Sequence, residues 1–315
     1  MSGQLRQCPD GRLECDFPAR LVLIANHQIY NDWLYLWWVS YTAGFHGHMY
    51  IILKQSLKWV PLVGPAMQFY SFIFMARKWS ADQERMRYRL QKLKAKRRDP
   101  TGQFAGKGSS RLDPMWLLIF PEGTNLSRNT RAGSQRWSEK IGIPDTKHTI
   151  LPRSTGLQFC LQELGDTVEY IYDCTIAYEH IPHGQYGQDI FTLRSVYFQG
   201  RVPKSVNMHW RRFKVSEIPV NDREKMDAWT VQRWREKDEL LEYHLQTGRF
   251  PADERAVTFE DKNRKSTGAY IETNVRSKSP FEILQMTFPV LSALLIGRIL
   301  MQVVDLATSW RKSNV

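Results

Sequence analysis

Short apolar runs separated by helix-patterned segments constrain this chain more than any other feature. RLVLIA (20–25), MYIIL (49–53), FIFM (72–75), MWLLIF (115–120), TILP (149–152) and YIYDCTIAY (170–178) are too short for independent helices and read as buried strands. Helical patterns lie between and after them. DWLYLWWVSYTAG starts at Asp32 and stops at Gly44, a basic helix runs from Ser80 to Arg98 and is stopped by Pro100, and the segment before Tyr170 also reads as helical. A further helix starts at Asn221 or Asp222 and stops at Gly248. Residues 54–70 carry the helix breakers Pro61, Gly64 and Pro65, and 128–140 reads as a basic loop. Strand–helix alternation predicts an α/β protein whose mixed, largely parallel sheet is flanked by helices.

The remaining features divide the chain. A polar N-terminal segment (1–19) precedes a main domain (20–220), which carries a glycine-rich, flexible surface insertion at 99–114; a helical C-terminal region (221–280) follows. FEILQMTFPVLSALLIGRILMQVV (281–304) is the most apolar stretch and reads as a spanning or re-entrant membrane segment, interrupted by Pro289 and Arg298. The first twenty residues have no apolar core of a secretory signal, so secretion is not expected. Cys8, Cys15, Cys160 and Cys174 have neither metal-ligand nor disulfide-framework spacing, which fits a reducing, cytosol-facing environment. A net charge of +12 implies anionic partners, and 11 Trp and 13 Tyr among the basic residues suit a membrane interface. No zinc-finger or RNP-like pattern supports nucleic acid, no His-Glu-x-x-His a zinc hydrolase, and no Gly-x-Ser-x-Gly a serine hydrolase.

Chemistry concentrates where two strands end. After RLVLIA comes Asn26-His27-Gln28-Ile29-Tyr30-Asn31-Asp32. An imidazole whose Nδ1–H is held by a carboxylate one turn away has Nε2 free to take a proton from an alcohol. With no nucleophile in the motif, the substrate hydroxyl itself would attack, and no acyl-enzyme is needed. After MWLLIF comes Pro121-Glu122-Gly123-Thr124, where a glycine, a hydroxyl and exposed N–H groups suit a phosphate or glycerol oxygen.

NHQIYND followed by FPEGT resembles the glycerolipid acyltransferase family of acylglycerol-phosphate and lysophospholipid acyltransferases. FIFMAR (72–77) is similar to that family's Phe-x-x-Arg block through Phe74 and Arg77, and LPRSTG (151–156) to its proline-containing block. The likeness covers most of residues 20–180, with wording nearest the lysocardiolipin and lysophosphatidylinositol branch. It implies a glycerol-3-phosphate acyltransferase-like fold in 20–220 with a membrane-associated extension. His27 is then the base and Asp32 its orienter, while Arg77, Glu122, Gly123, Thr124 and, more weakly, Arg153 bind the acceptor's phosphate and glycerol. Acyl-CoA is the implied co-substrate, with no permanently bound cofactor and no metal. A lysophospholipid and membrane lipids are the partners, and the endoplasmic reticulum is expected over mitochondria, with the site facing the cytosol. Trp33, Trp37 and Trp38 are candidates for an acyl channel or a bilayer-facing stripe, and the runs Lys92–Arg98 and Arg211–Lys214 for anionic headgroups or coenzyme A phosphates. Hydrophobic segments normally precede the family's histidine block, whereas residues 1–19 here are polar; a catalytically inactive membrane-bound homologue is the alternative reading, and a basic nucleic-acid-binding protein a more distant one.

Overall fold

Val22, Leu23 and Ile24 have no exposed surface, because the strand they form is covered on both faces. The structure is a computed structural model. It describes residues 4–8, 11–61, 63–76, 78–94, 112–179, 181–182, 184–251, 270–277, 279, 281–282, 292 and 295–302. The chain divides into two compact units, residues 1–8 with 13–271, and residues 9–12 with 272–315.

In the first unit the strands are β1 (Leu5–Gln7), β2 (Leu13–Cys15), β3 (Arg20–Ala25), β4 (Met49–Lys54), β5 (Ile73–Met75), β6 (Met115–Ile119), β7 (Tyr170–Tyr178) and β8 (Val206–Lys214). The helices are α1 (Asp32–Thr42), α2 (Val63–Phe69), α3 (Trp79–Lys94), α4 (Arg128–Ile141), α5 (Ser154–Leu164), α6 (Gly187–Ile190), α7 (Leu193–Phe198) and α8 (Arg223–Thr247). β1 and β2 form a separate antiparallel pair. The main sheet has the order β5-β4-β6-β3-β7-β8, parallel except for β8, which runs antiparallel to β7. The expected mixed, largely parallel sheet between helices is therefore present.

Alternation along β3 sorts the core. Leu21 and Leu23 pack with Leu36 and Val39 of α1 and with residues of α2, α6 and α7, while Val22 and Ile24 pack with α3, α5 and α8 through Met86, Leu157 and Trp234. Arg20 opens the strand and ties it to its surroundings by donating to the carbonyls of Leu93 (3.0 Å), Asp113 (2.6 Å) and Thr167 (3.0 Å). In register, Ile24 pairs with Ile119 and Ala25 with Cys174. β3 and β6 therefore end side by side, while β7 runs on to Tyr178.

Three sequence expectations are corrected. Residues 54–70 are not simply broken, since α2 forms there with Pro65 in its first turn, where a missing N–H costs nothing. The supposed basic loop at 128–140 is α4, started by a reciprocal capping box between Ser127 and Thr130 and stopped by Gly142 at φ +66°. TILP (149–152) is buried but not a strand. Its backbone N–H groups go to side chains, Thr149 to Asp238 Oδ1 (3.1 Å) and Leu151 to Ser134 Oγ (3.1 Å). The β1–β2 pair, the edge strand β8 and the short helices α6 and α7 had no sequence expectation. Residues 99–111 of the insertion lie outside the described residues.

In the second unit, Thr273 Oγ1 donates to the Gly11 carbonyl at 3.0 Å, and residues 295–302 are helical. Most of the apolar stretch 281–304 lies outside the described residues. Among the described residues no helix is long and apolar enough to cross a membrane.

α8 is fastened to the sheet by charge as well as packing. Its buried positions Met226, Thr230, Trp234, Lys237, Leu241 and His244 form one helical stripe. Lys237 Nζ pairs with Asp173 of β7, both without exposed side-chain surface, and donates to the Cys174 carbonyl at 2.6 Å. Arg211 of β8 holds the other Asp173 oxygen at 2.6 Å. Lys237→Met takes one of two cations from a carboxylate without exposed surface and leaves Arg211 to compensate the charge in part, so it is expected to lower unfolding free energy by up to about 3 kcal/mol. Adding Asp173→Asn should return part of that loss, since Arg211 keeps Glu236, and urea unfolding of the three proteins measures both effects.

Candidate active site

Because β3 and β6 are parallel neighbours, the residues that follow each strand emerge on the same edge of the sheet. Asn26 makes the exit from β3 clean. Its buried side chain accepts from the Ile176 N–H (2.8 Å) and donates to the Ile176 carbonyl (3.0 Å), standing in for the next rung of the β3–β7 ladder. The backbone is thus free to turn at His27 without orphaning β7. The two loops are joined by Leu126 N–H to the His27 carbonyl at 2.8 Å, and the His27 ring lies on Phe120, centroids 4.4 Å apart and 25° from parallel.

α1 begins at Asp32, which has no exposed surface. Its Oδ2 is 2.7 Å from His27 Nδ1 and accepts from the backbone N–H of Gln28 (2.6 Å) and Ile29 (3.1 Å). Its Oδ1 accepts from the Tyr178 hydroxyl at the end of β7. Burial, with Asp32 adjacent, pushes that phenol well above its ordinary range, so Tyr178 stays a donor. An ionised carboxylate only accepts, so Nδ1 carries the imidazole proton and Nε2 the lone pair. The His27 side chain is 20% exposed while Asp32 is sealed, so the imidazole alone of the two meets solvent. Among the described residues no serine, threonine or cysteine side chain bonds the imidazole, whose hydrogen bond is to Asp32.

Glu122 stands behind the histidine. Its Oε1 accepts from the His27 backbone N–H (3.3 Å) and from Trp234 Nε1 of α8 (3.1 Å), while Oε2 is buried without a partner among the described residues. Burial raises its carboxyl to about 8, against the smaller opposing pull of the Trp234 and His27 donors. At neutral pH it is mostly the uncharged acid. Gly123 follows at φ +70°, a conformation that side chains resist, with open space where a Cβ would sit. It is exposed, and Thr124 is half-buried.

The structure therefore brings His27, Asp32, Glu122, Gly123 and Thr124 to one strand-end edge. Arg153 is tied there by its backbone, its N–H donating to the Pro121 carbonyl at 2.8 Å, but its exposed guanidinium lies over Trp137 at 5.3 Å. Arg77 lies outside the described residues. Arg211 is withdrawn from any anion-binding role by Asp173 and Glu236, and Arg212 lies over Tyr170 at 4.6 Å. Phe120, Tyr178 and Trp234 went unsuspected. Phe120 adjoins the motif, but nothing in sequence links Tyr178 or Trp234 to it, because each meets its carboxylate across more than a hundred residues. Among the described residues no cluster of His, Cys, Asp and Glu has the arrangement to hold a metal ion.

Residues 13–179 match the acyltransferase family, and residues 197–274 match the family described as acyltransferase C-terminus. The chain is 38% identical to an uncharacterized acyltransferase of Schizosaccharomyces pombe over 91% of its own length and 73% of the relative's. It is 39% identical to the 2-acyl-1-lysophosphatidylinositol acyltransferase of Saccharomyces cerevisiae, covering 77% of this chain and 66% of that one. With lysocardiolipin acyltransferase 1 of Danio rerio it shares 35% identity over 72% of this chain and 53% of the relative. No solved structure matches the chain.

The environment of Glu122 has a sign that can be checked. Its folded-state value, about 8, lies above the ordinary 4.5, so the stability linked to its proton is complete below 4.5 and is lost as pH rises through 8. Glu122→Gln keeps an acceptor for His27 and Trp234 and removes the titration. Thermal unfolding from about pH 5 to about pH 9 should show the native protein losing stability across this window relative to the variant; parallel curves would contradict a buried, neutral Glu122.

Proposed function

The chain belongs to the acyltransferase family, and from that premise we propose that it transfers a fatty acyl group from acyl-coenzyme A to a free hydroxyl of a lysophospholipid. The observation that carries the reading is the His27–Asp32 pair, an oriented base with no partner nucleophile among the described residues. His27 Nε2 removes the proton of the acceptor hydroxyl as its oxygen attacks the thioester carbonyl carbon. Asp32, held by its other donors, stabilises the imidazolium that forms. Collapse of the tetrahedral oxyanion breaks the carbon–sulfur bond, and the departing coenzyme A thiolate takes the proton back from His27. The acyl group thus passes directly to oxygen, and no covalent enzyme intermediate is required.

Support for an anionic glycerolipid acceptor comes from the neighbouring loop. Glu122, uncharged at neutral pH, adds no repulsion toward a phosphate, and Gly123 has no side chain to hold a ligand off the loop. Thr124 offers a hydroxyl, Arg153 a bidentate donor at the edge of the site, and Arg77 is assigned to the same anion by its motif. The curated relatives named for lysophosphatidylinositol and lysocardiolipin acylation point to these head groups, with lysophosphatidic acid the simplest further acceptor. We place the reaction at a cytosol-facing membrane surface, the endoplasmic reticulum first, with acyl-CoA as co-substrate and no resident cofactor.

Membranes carrying the full chain, labelled oleoyl-coenzyme A and a panel of lysophosphatidic acid, lysophosphatidylinositol and monolysocardiolipin test the proposal. His27→Ala should abolish transfer, and Asp32→Asn should lower kcat by about 10³–10⁴ by disturbing the tautomer. Undiminished transfer by folded His27→Ala protein would remove the mechanism. No transfer by the native chain to any acceptor would favour an inactive homologue.

A further inference from the structure

No acidic residue occurs between Asp32 and Asp82, whereas Lys54, Lys58, Arg77 and Lys78 fall within that span. The same span presents a continuous aromatic surface. Trp33 and Trp37, half-buried on α1, have centroids 5.6 Å apart, Trp37 meets Tyr70 at 5.4 Å, and Tyr70 meets Phe69 at 6.1 Å. At the end of α2 Phe69 is 88% exposed, and Trp59, in the short helical turn Gln55–Trp59 packed against α2, is 78% exposed. Isolated exposed apolar residues are common, but a run of touching rings that ends in the outward Phe69, with Trp59 exposed on the turn packed against the same helix, marks a place of contact.

The exposure is built into the fold. A Cβ on Gly64 would sit 2.3 Å from the Lys58 carbonyl oxygen, so glycine is what lets α2 close on the preceding turn. Gly64 N–H then donates to the Val60 carbonyl at 2.8 Å, and Gln68 Nε2 reaches the Lys58 carbonyl at 3.3 Å. Trp59 and Phe69 are therefore held out by a fastened unit. The surface also starts beside the base, since Trp33 directly follows Asp32.

We propose that the outer side of α1, with residues 55–59 and α2, docks on an anionic phospholipid bilayer, its aromatic rings at headgroup depth and its lysines among lipid phosphates. Tryptophan and tyrosine suit that depth, and lysines in a stretch of chain without acidic residues are drawn to anionic lipid. Lys54 and Lys58 precede the exposed Trp59 and are placed to meet lipid phosphates as that ring enters the headgroup layer. The inference deepens the proposed function, because it brings a membrane-borne acceptor to His27, yet vesicle binding requires no turnover.

The test uses the full chain with Cys8→Ser, since Cys15, Cys160 and Cys174 are buried. An environment-sensitive fluorophore is attached through Phe69→Cys or, on α8 at the opposite face of the sheet, Leu245→Cys. With phosphatidylcholine–phosphatidylserine vesicles the probe at 69 should shift to the blue, brighten several-fold and be quenched by nitroxide-bearing lipid; the probe at 245 should not. Lys54→Gln with Lys58→Gln should weaken partitioning to these vesicles about thirtyfold, from about 1 kcal/mol per lysine, and change binding to phosphatidylcholine alone little. An unchanged probe at 69 on vesicle-bound protein, or failure of the protein to bind vesicles, overturns the proposal. So does a blue shift that follows protein concentration without vesicles, which would put a second copy on this face. Probe insertion without acyl transfer would instead refute only the catalytic reading.

Discussion

One buried carboxylate organises the working edge of this fold. Asp32 has no exposed surface, yet its two oxygens meet the His27 imidazole, the N–H groups of Gln28 and Ile29, and the Tyr178 hydroxyl. A charge taken out of water is tolerated only when so surrounded. Satisfying it pins together the turn after β3, the start of α1 and the far end of β7. The extra length of β7 beyond β3, bridged by the Asn26 side chain, is what carries Tyr178 into reach.

The site places two acids in contrasting surroundings. Asp32 is ringed by donors and orients the His27 imidazole, whereas among the described residues Glu122 has two donors on one oxygen and none on the other, and burial keeps it uncharged to about pH 8. Similar side chains are thus suited to different tasks, one to stabilise a transient cation and the other to stand near an anion without repelling it.

What the sequence showed and hid follows from where physical signals are local. The central sheet was legible because strands buried on both faces become unbroken apolar runs, as in RLVLIA and MWLLIF. β8 was not, because an edge strand such as VNMHWRRFK keeps one polar side. α4 hid because the face it buries carries Ser134 and Ser138, and TILP misled because its apolar residues are buried while its N–H groups turn to side chains. His27, Asp32 and Glu122 stood out through short motifs at strand ends. Tyr178 and Trp234 are ordinary core aromatics until the fold brings them to those acids, and α8's buried stripe is disguised by Thr230, Lys237 and His244.

The contact between Trp234 and Glu122 also orders events in time. The two residues lie 112 positions apart, and the His27 loop is complete only when α8 has closed behind it. On the ribosome, a nascent chain that has already emerged through both recognisable motifs still lacks the indole that supports Glu122. At roughly 5–20 residues per second, several seconds separate the appearance of the motifs from that of their support. The supported form of this loop is therefore a late event in the protein's life, reached when α8 arrives.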